Sequence, residues 1–142
     1  MPPAPPGPIE RLLLQQLVFE IERLDGPDRL AKILRPIGAR FAELTPLRGG
    51  EGAAALEGEI NAVWRPLSLG SVEIAAQREG LVIVHRLATG QGFVPCLPRR
   101  ALWALIEGWY ERWLNGLAGG GGSLFTRCRR FDEREAEFWH GL

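Results

Sequence analysis

Between Arg65 and Val72 the spacing of apolar residues changes, and that change constrains the fold of this chain more than any other feature. Up to Trp64, apolar side chains recur every three or four residues, the period of helices lying on a core. From Val72 they alternate: Val72, Ile74 and Ala76 interleave with Glu73, Ala75 and Gln77, the period of a half-buried strand. After a turn at Arg78-Glu79-Gly80, Leu81–His85 reads as a second, more apolar strand, completing a β-hairpin. A helical period returns over Pro98–Leu117, and the segments Leu124–Phe131 and Glu135–His140 form a second hairpin around Asp132-Glu133. The order of three helices, hairpin, long helix and hairpin predicts an α+β domain whose helices pack on one face of a small antiparallel sheet.

Before the switch, one helix is expected over Pro8–Leu24, with Leu13, Leu17, Phe19, Ile21 and Leu24 on a broad apolar face. Asp25-Gly26-Pro27 ends it, since glycine can stop one helix and proline open the next. A second helix follows over Asp28–Leu44 with a stripe of Leu30, Ile33, Leu34, Ile37 and Phe41; Pro36 inside it predicts a bend near Lys32–Arg35. The third runs from Glu51 to Trp64 and is expected to stop there, because the residue before Pro66 avoids the α region. Residues 1–8 are a proline-rich tail and 9–142 a single domain, with Gly119–Gly122 and Ser123 as a mobile loop.

Lys+Arg and Asp+Glu both number 17, a balance that excludes a nucleic-acid binder relying on net positive charge and leaves little repulsion to oppose self-association. No apolar run is long enough to cross a membrane, so no membrane insertion is expected. Cys96 and Cys128, far apart in sequence, favour two free thiols over one disulfide. The N-terminus lacks the basic and apolar regions of a signal peptide, which points to the cytoplasm while leaving the periplasm open.

Three of the five tryptophans lie in the long helix, as Trp103, Trp109 and Trp113. Trp109 and Trp113 are four residues apart and share a face with Leu102, Leu105 and Ile106. Trp103, Tyr110, Leu114 and Leu117 widen the arc beyond what one sheet requires, so part of it covers the sheet and part meets a partner. A core role for these indoles is favoured over a sugar-stacking platform. Gly108, costly in mid-helix, implies a close backbone approach, with a neighbouring helix as the plainest candidate. In the second hairpin, Arg127 and Arg129 are placed to pair with Glu135 and Glu137.

Catalytic signatures are missing. No serine sits in a nucleophile elbow, and Glu57 and Glu59 lie on nearly opposite helix faces. His85 and His140 have no second ligand at helical spacing. No cofactor, metal or catalytic residue is therefore expected.

The motifs "LEGEINAVW" (Leu56–Trp64), "LGSVEI" (Leu69–Ile74), "VIVH" (Val82–His85) and "LIEGWYERWL" (Leu105–Leu114) occur in that order. Together they resemble the D subunit of bacterial cellulose synthase, over roughly Leu12–Phe131. The resemblance implies a non-catalytic accessory subunit of cellulose biosynthesis and export. It implies a homo-octameric ring, a tetramer of dimers, that organises nascent β-1,4-glucan chains or synthase complexes. The partners implied are the cellulose synthase complex, a proline-rich companion protein and the glucan chain itself. By the same carry-over, Pro8, Ile9, Glu10 and Arg11 face the ring's lumen. Glu59, Asn61, Gly70, His85, Glu107, Gly108, Trp109, Tyr110, Arg112 and Trp113 are motif residues with structural or interface roles. The chain departs from the family pattern at Arg65-Pro66 and in its proline-rich lead. A second reading rests on element order, which is also similar to vesicle-tethering and vinyl-reductase-type domains. It makes the chain a small-ligand binder with an apolar pocket between helices and sheet.

Overall fold

A computed structural model of the chain describes residue 4 and residues 7–88, 97–117 and 124–142. The expectations for most of the proline-rich tail, for Cys96 and for the Gly119–Ser123 loop lie outside the described residues. The elements are α1 (Pro8–Asp25), α2 (Pro27–Leu44), α3 (Ala53–Leu67), β1 (Ser71–Gln77), β2 (Gly80–Arg86), α4 (Arg99–Leu117), β3 (Phe125–Phe131) and β4 (Glu135–Gly141). Helices, hairpin, helix and hairpin thus follow the expected α+β order.

The two hairpins form one antiparallel sheet in the order β1-β2-β4-β3. The centre is β2 against β4, with Ile83 opposite Phe138 and His85 opposite Ala136. One face carries Val72, Ile74, Ile83, His85, Phe138 and His140, all buried. Helix α4 covers this face with Leu102, Trp103, Ile106 and Tyr110, and α3 adds Leu56, Ile60 and Trp64 beside β1.

The end of α3 differs from expectation. α3 continues past Trp64 through Pro66 to Leu67. In the last turn a proline forfeits one hydrogen bond only, here to the carbonyl of exposed Ala62. The stop comes from Ser68, whose left-handed φ of 55° lets its N–H reach Arg65 O while Leu69 N–H reaches Trp64 O. α2 is likewise continuous through Pro36, which faces solvent together with Lys32 four residues before it. Next to the α3 stop, Gly70 has φ +94° and its α-carbon backs onto the Arg86 carbonyl, leaving no space for a side chain.

The surplus arc of α4, apart from exposed Leu117 at its end, is covered within the same chain. α2 crosses α4 so closely that a Cβ on Gly38 would strike the Leu105 carbonyl, and one on Gly108 would strike the Arg35 carbonyl. The neighbouring helix inferred from Gly108 is therefore α2. α1 behaves differently. It folds back on α2 through the single residue Gly26, rests on it near Val18, and contributes no buried residue.

In the second hairpin the expected pairing of Arg127 and Arg129 with the glutamates is corrected. A register shift between Cys128 and Arg130 inserts one residue, so Arg130 stands opposite Glu137 and binds it at 3.1 Å. Arg127 falls opposite Trp139, and Arg129 lies over the Trp139 ring with its guanidinium carbon 4.5 Å from the centroid. Glu135 instead binds Arg86 at 3.0 Å.

Candidate functional site

The motif residues divide into a buried network, an ion bridge and a loop anchor. The network centres on Tyr110 and His85, both fully buried. His85 Nε2 lies 2.6 Å from Leu69 O, and a carbonyl only accepts, so Nε2 carries the proton. His85 Nδ1 must then accept, and Tyr110 OH donates to it at 2.6 Å. The same phenolic oxygen accepts Trp64 Nε1–H at 3.1 Å. Every polar atom of this cluster is satisfied, which fixes the tautomer and a unique packing of α3, α4 and β2. Burial raises the Tyr110 hydroxyl well above its ordinary pKa, so it stays a donor.

Burial also pulls His85 down to about 4, only partly offset by its hydrogen bond to Leu69. An unfolded histidine titrates near 6.5, so between these values the unfolded chain binds more protons than the folded one. The contribution of His85 to stability is therefore complete above about pH 6.5. It is lost as pH falls toward 4, by up to about 3 kcal/mol. Urea midpoints measured across this range should drop with acidity, and His85→Gln should remove that part of the slope. Equal slopes in both proteins would contradict the assignment.

The tryptophans are anchored as well as packed. Trp103, Trp109 and Trp113 expose 1%, 4% and 4% of their surface, so none offers a face to a sugar ring. Trp109 Nε1 donates to Thr45 Oγ1 at 3.1 Å and Trp113 Nε1 to Thr45 O at 2.8 Å, which ties α4 to the end of α2. Trp103 Nε1 reaches Asp132 O in the second hairpin at 3.1 Å.

Arg35 of α2 bridges α4 and the sheet. It binds Glu107 at 2.8 Å, pairs with Glu111, and donates to Thr126 O at 3.1 Å. Burial opposes its charge, but the two carboxylates outweigh that and hold the guanidinium above its ordinary pKa. Arg112, one residue on from Glu111, pairs with Glu43 of α2 at 3.2 Å in an exposed position. Nothing in the sequence singled out Arg35, because its partners lie more than seventy residues away and only the helix crossing brings them together.

Glu59 accepts backbone N–H groups from Arg48, Gly49 and Gly50 at 2.7–3.2 Å. The Gly50 bond leads in holding its carboxylate below the ordinary range. A carboxylate so bound by three backbone N–H groups anchors the loop before α3. Glu107 is similarly engaged, by Arg35 and by Cys128 N–H at 2.6 Å. Asn61 grips Val72 on the outer side of β1. The glutamates, His85 and the tryptophans therefore serve different parts of the fold and do not converge on one reacting centre. Cys128 is a free thiol, raised to about 11 by burial and by Glu107. Among the described residues, no group of three or more His, Cys, Asp or Glu side chains is placed to hold a metal, and no helix is long and apolar enough to cross a membrane.

The space between helices and sheet is filled by Trp64, Trp103, Tyr110 and Phe138. A cleft of about 470 Å³ does lie between α2 and α4, where Arg35, Glu111, Arg112 and Asn115 set charged and polar groups beside Ala39 and Gly108. That does not fit the apolar pocket of a hydrophobic-ligand sensor.

What remains is α1. Ile9, Leu13, Leu17 and Leu24 fall within one narrow arc of the helix and are 72%, 58%, 50% and 67% exposed. The opposite side, at Val18, rests on α2. Among the described residues, α2 is the main neighbour of α1, and the apolar stripe faces away from it. Pro8, Ile9, Glu10 and Arg11 form its exposed first turn, with Glu10 Oε2 accepting Gly7 N–H at 3.2 Å. The sequence pattern located the apolar residues of α1 but not which of them the chain itself would bury.

A family model described as the D subunit of cellulose synthase matches residues 8–141. No curated protein matches the chain.

Proposed function

The chain belongs to the family of cellulose synthase D subunits, and from that premise we propose that it is a non-catalytic accessory subunit that assembles into a closed ring and organises nascent β-1,4-glucan chains or synthase complexes. The ring is a homo-octamer built as a tetramer of dimers. The observation that carries the proposal is the outward apolar stripe of α1, where Leu13, Leu17 and Leu24 lie exposed in one arc of a single helix. Patches of that kind mark protein–protein contacts. Zero formal charge lets copies pack without repulsion, and a closed ring buries every copy of the stripe equally. The engaged states of Glu59 and Glu107 support a role without bond-making chemistry. In the ring, Pro8–Arg11 face the lumen, where the glucan passes, and contacts with the synthase and a proline-rich companion protein lie outside.

Size-exclusion chromatography with light scattering is the direct test. The expected result is one species of eight copies at micromolar concentration. Replacing Leu13 and Leu17 by glutamate should break it into smaller units that keep the native circular dichroism. A strict monomer before any substitution would overturn the proposal. An octamer unaffected by the double change would move the interface away from α1.

A further inference from the structure

Both outer edges of the sheet are occupied by side chains from helices. On β1, Asn61 of α3 donates from Nδ2 to Val72 O at 3.1 Å and accepts Val72 N–H on Oδ1 at 2.8 Å. One helical turn earlier, Glu57 Oε2 accepts Ile74 N–H at 2.9 Å. Val72 and Ile74 stand opposite His85 and Ile83, two positions apart, so their outward groups repeat with the strand period. The Asn61 carboxamide therefore makes the same donor-plus-acceptor pair that a residue of another strand would make there.

The far edge is treated in the same way. Asn115 Nδ2 donates to Leu124 O at 3.1 Å and Arg35 Nη2 to Thr126 O at 3.1 Å, and Glu107 Oε2 accepts Cys128 N–H at 2.6 Å. Just beyond, the register shift between Cys128 and Arg130 interrupts the ladder. Open strand edges are templates for pairing with another chain, and side-chain covers and bulges are the known ways of blunting them.

We propose that these side chains close the sheet against strand addition by a second copy of this chain, and that Asn61 and Glu57 are the residues that hold the β1 edge shut. Self-association is thereby confined to helix surfaces and stays finite. Edge closure operates whatever the size of the assembly. Without the covers, β1 of one copy pairs with β1 of another, which joins two single copies and, where an assembly presents several β1 edges, links assemblies to one another without a closing step.

The test compares the unmodified chain with Asn61→Ala/Glu57→Ala at a concentration where the unmodified chain keeps one size. The double variant is expected to form species at least twice the original size, joined through β1, and to bind thioflavin. A double variant that folds cooperatively, keeps the original size and binds no thioflavin overturns the proposal. A second measurement avoids dependence on the variant's folding. In the unmodified protein, the amides of Val72 and Ile74 should exchange about tenfold more slowly than that of Ala76, farther along the same edge. Exchange at the Ala76 rate would show that the covers do not hold.

Discussion

Gly108→Val is expected to abolish the cooperative fold. The hydrogen it replaces points at the Arg35 carbonyl, and the obstacle is backbone on a helix that is itself locked by Gly38 against Leu105. Neither helix can retreat without breaking the Arg35 bridge to Glu107 and Glu111 and the anchoring of Trp109 and Trp113 on Thr45. Overpacking a core usually costs about 1–3 kcal/mol, where side chains can shift. Here the contact is backbone against backbone, so a loss of about 4 kcal/mol or more is expected, a large part of a small domain's stability. Far-ultraviolet circular dichroism during urea unfolding is the check. A cooperative transition within about 1 kcal/mol of the unmodified protein would show that the crossing can open.

Trp64→Ala should lower stability by about 3–5 kcal/mol, since a fully buried indole leaves a cavity that its neighbours cannot fill. Trp64 touches the rings of Trp109, Trp113, Tyr110 and His85, and donates to Tyr110 OH. The substitution therefore also leaves a buried phenolic oxygen short of a donor. Trp64→Phe, which fills most of the cavity but cannot donate, should recover part of that loss. Equal losses in the two variants would place the cost in the hydrogen bond; full recovery by phenylalanine would place it in packing. Chemical denaturation with tryptophan fluorescence from the remaining indoles reads both.

The sequence disclosed local periodicity well and long-range partners poorly. The switch from helical to alternating spacing located both hairpins, and the element order held throughout. Gly108 announced a helix crossing, because a glycine in mid-helix carries a cost that only close approach offsets. It did not say which helix, and α2 proved to be the answer. The end of α3 was misplaced because the local preference of the residue before proline was outweighed by the left-handed cap at Ser68. The charge pairs of the second hairpin were misassigned because a one-residue bulge leaves no trace in alternation. Of the candidate site, the motif residues were visible as types but not as roles. Asn61 and Glu59 are polar positions on one helix, yet one covers a strand edge and the other holds a loop. The partners that distinguish them, Val72 and the Arg48–Gly50 backbone, come into reach only through the fold.

The one-residue elbow at Gly26 separates two events in the life of each molecule. The fully buried core among the described residues comes from α2 to β4, with α1 adding only partly buried contacts such as Val18. In the proposed ring, each copy folds first, with α1 seated on α2 and its apolar stripe turned outward, and assembles second. On that proposal, the abundance of finished copies sets how far assembly goes.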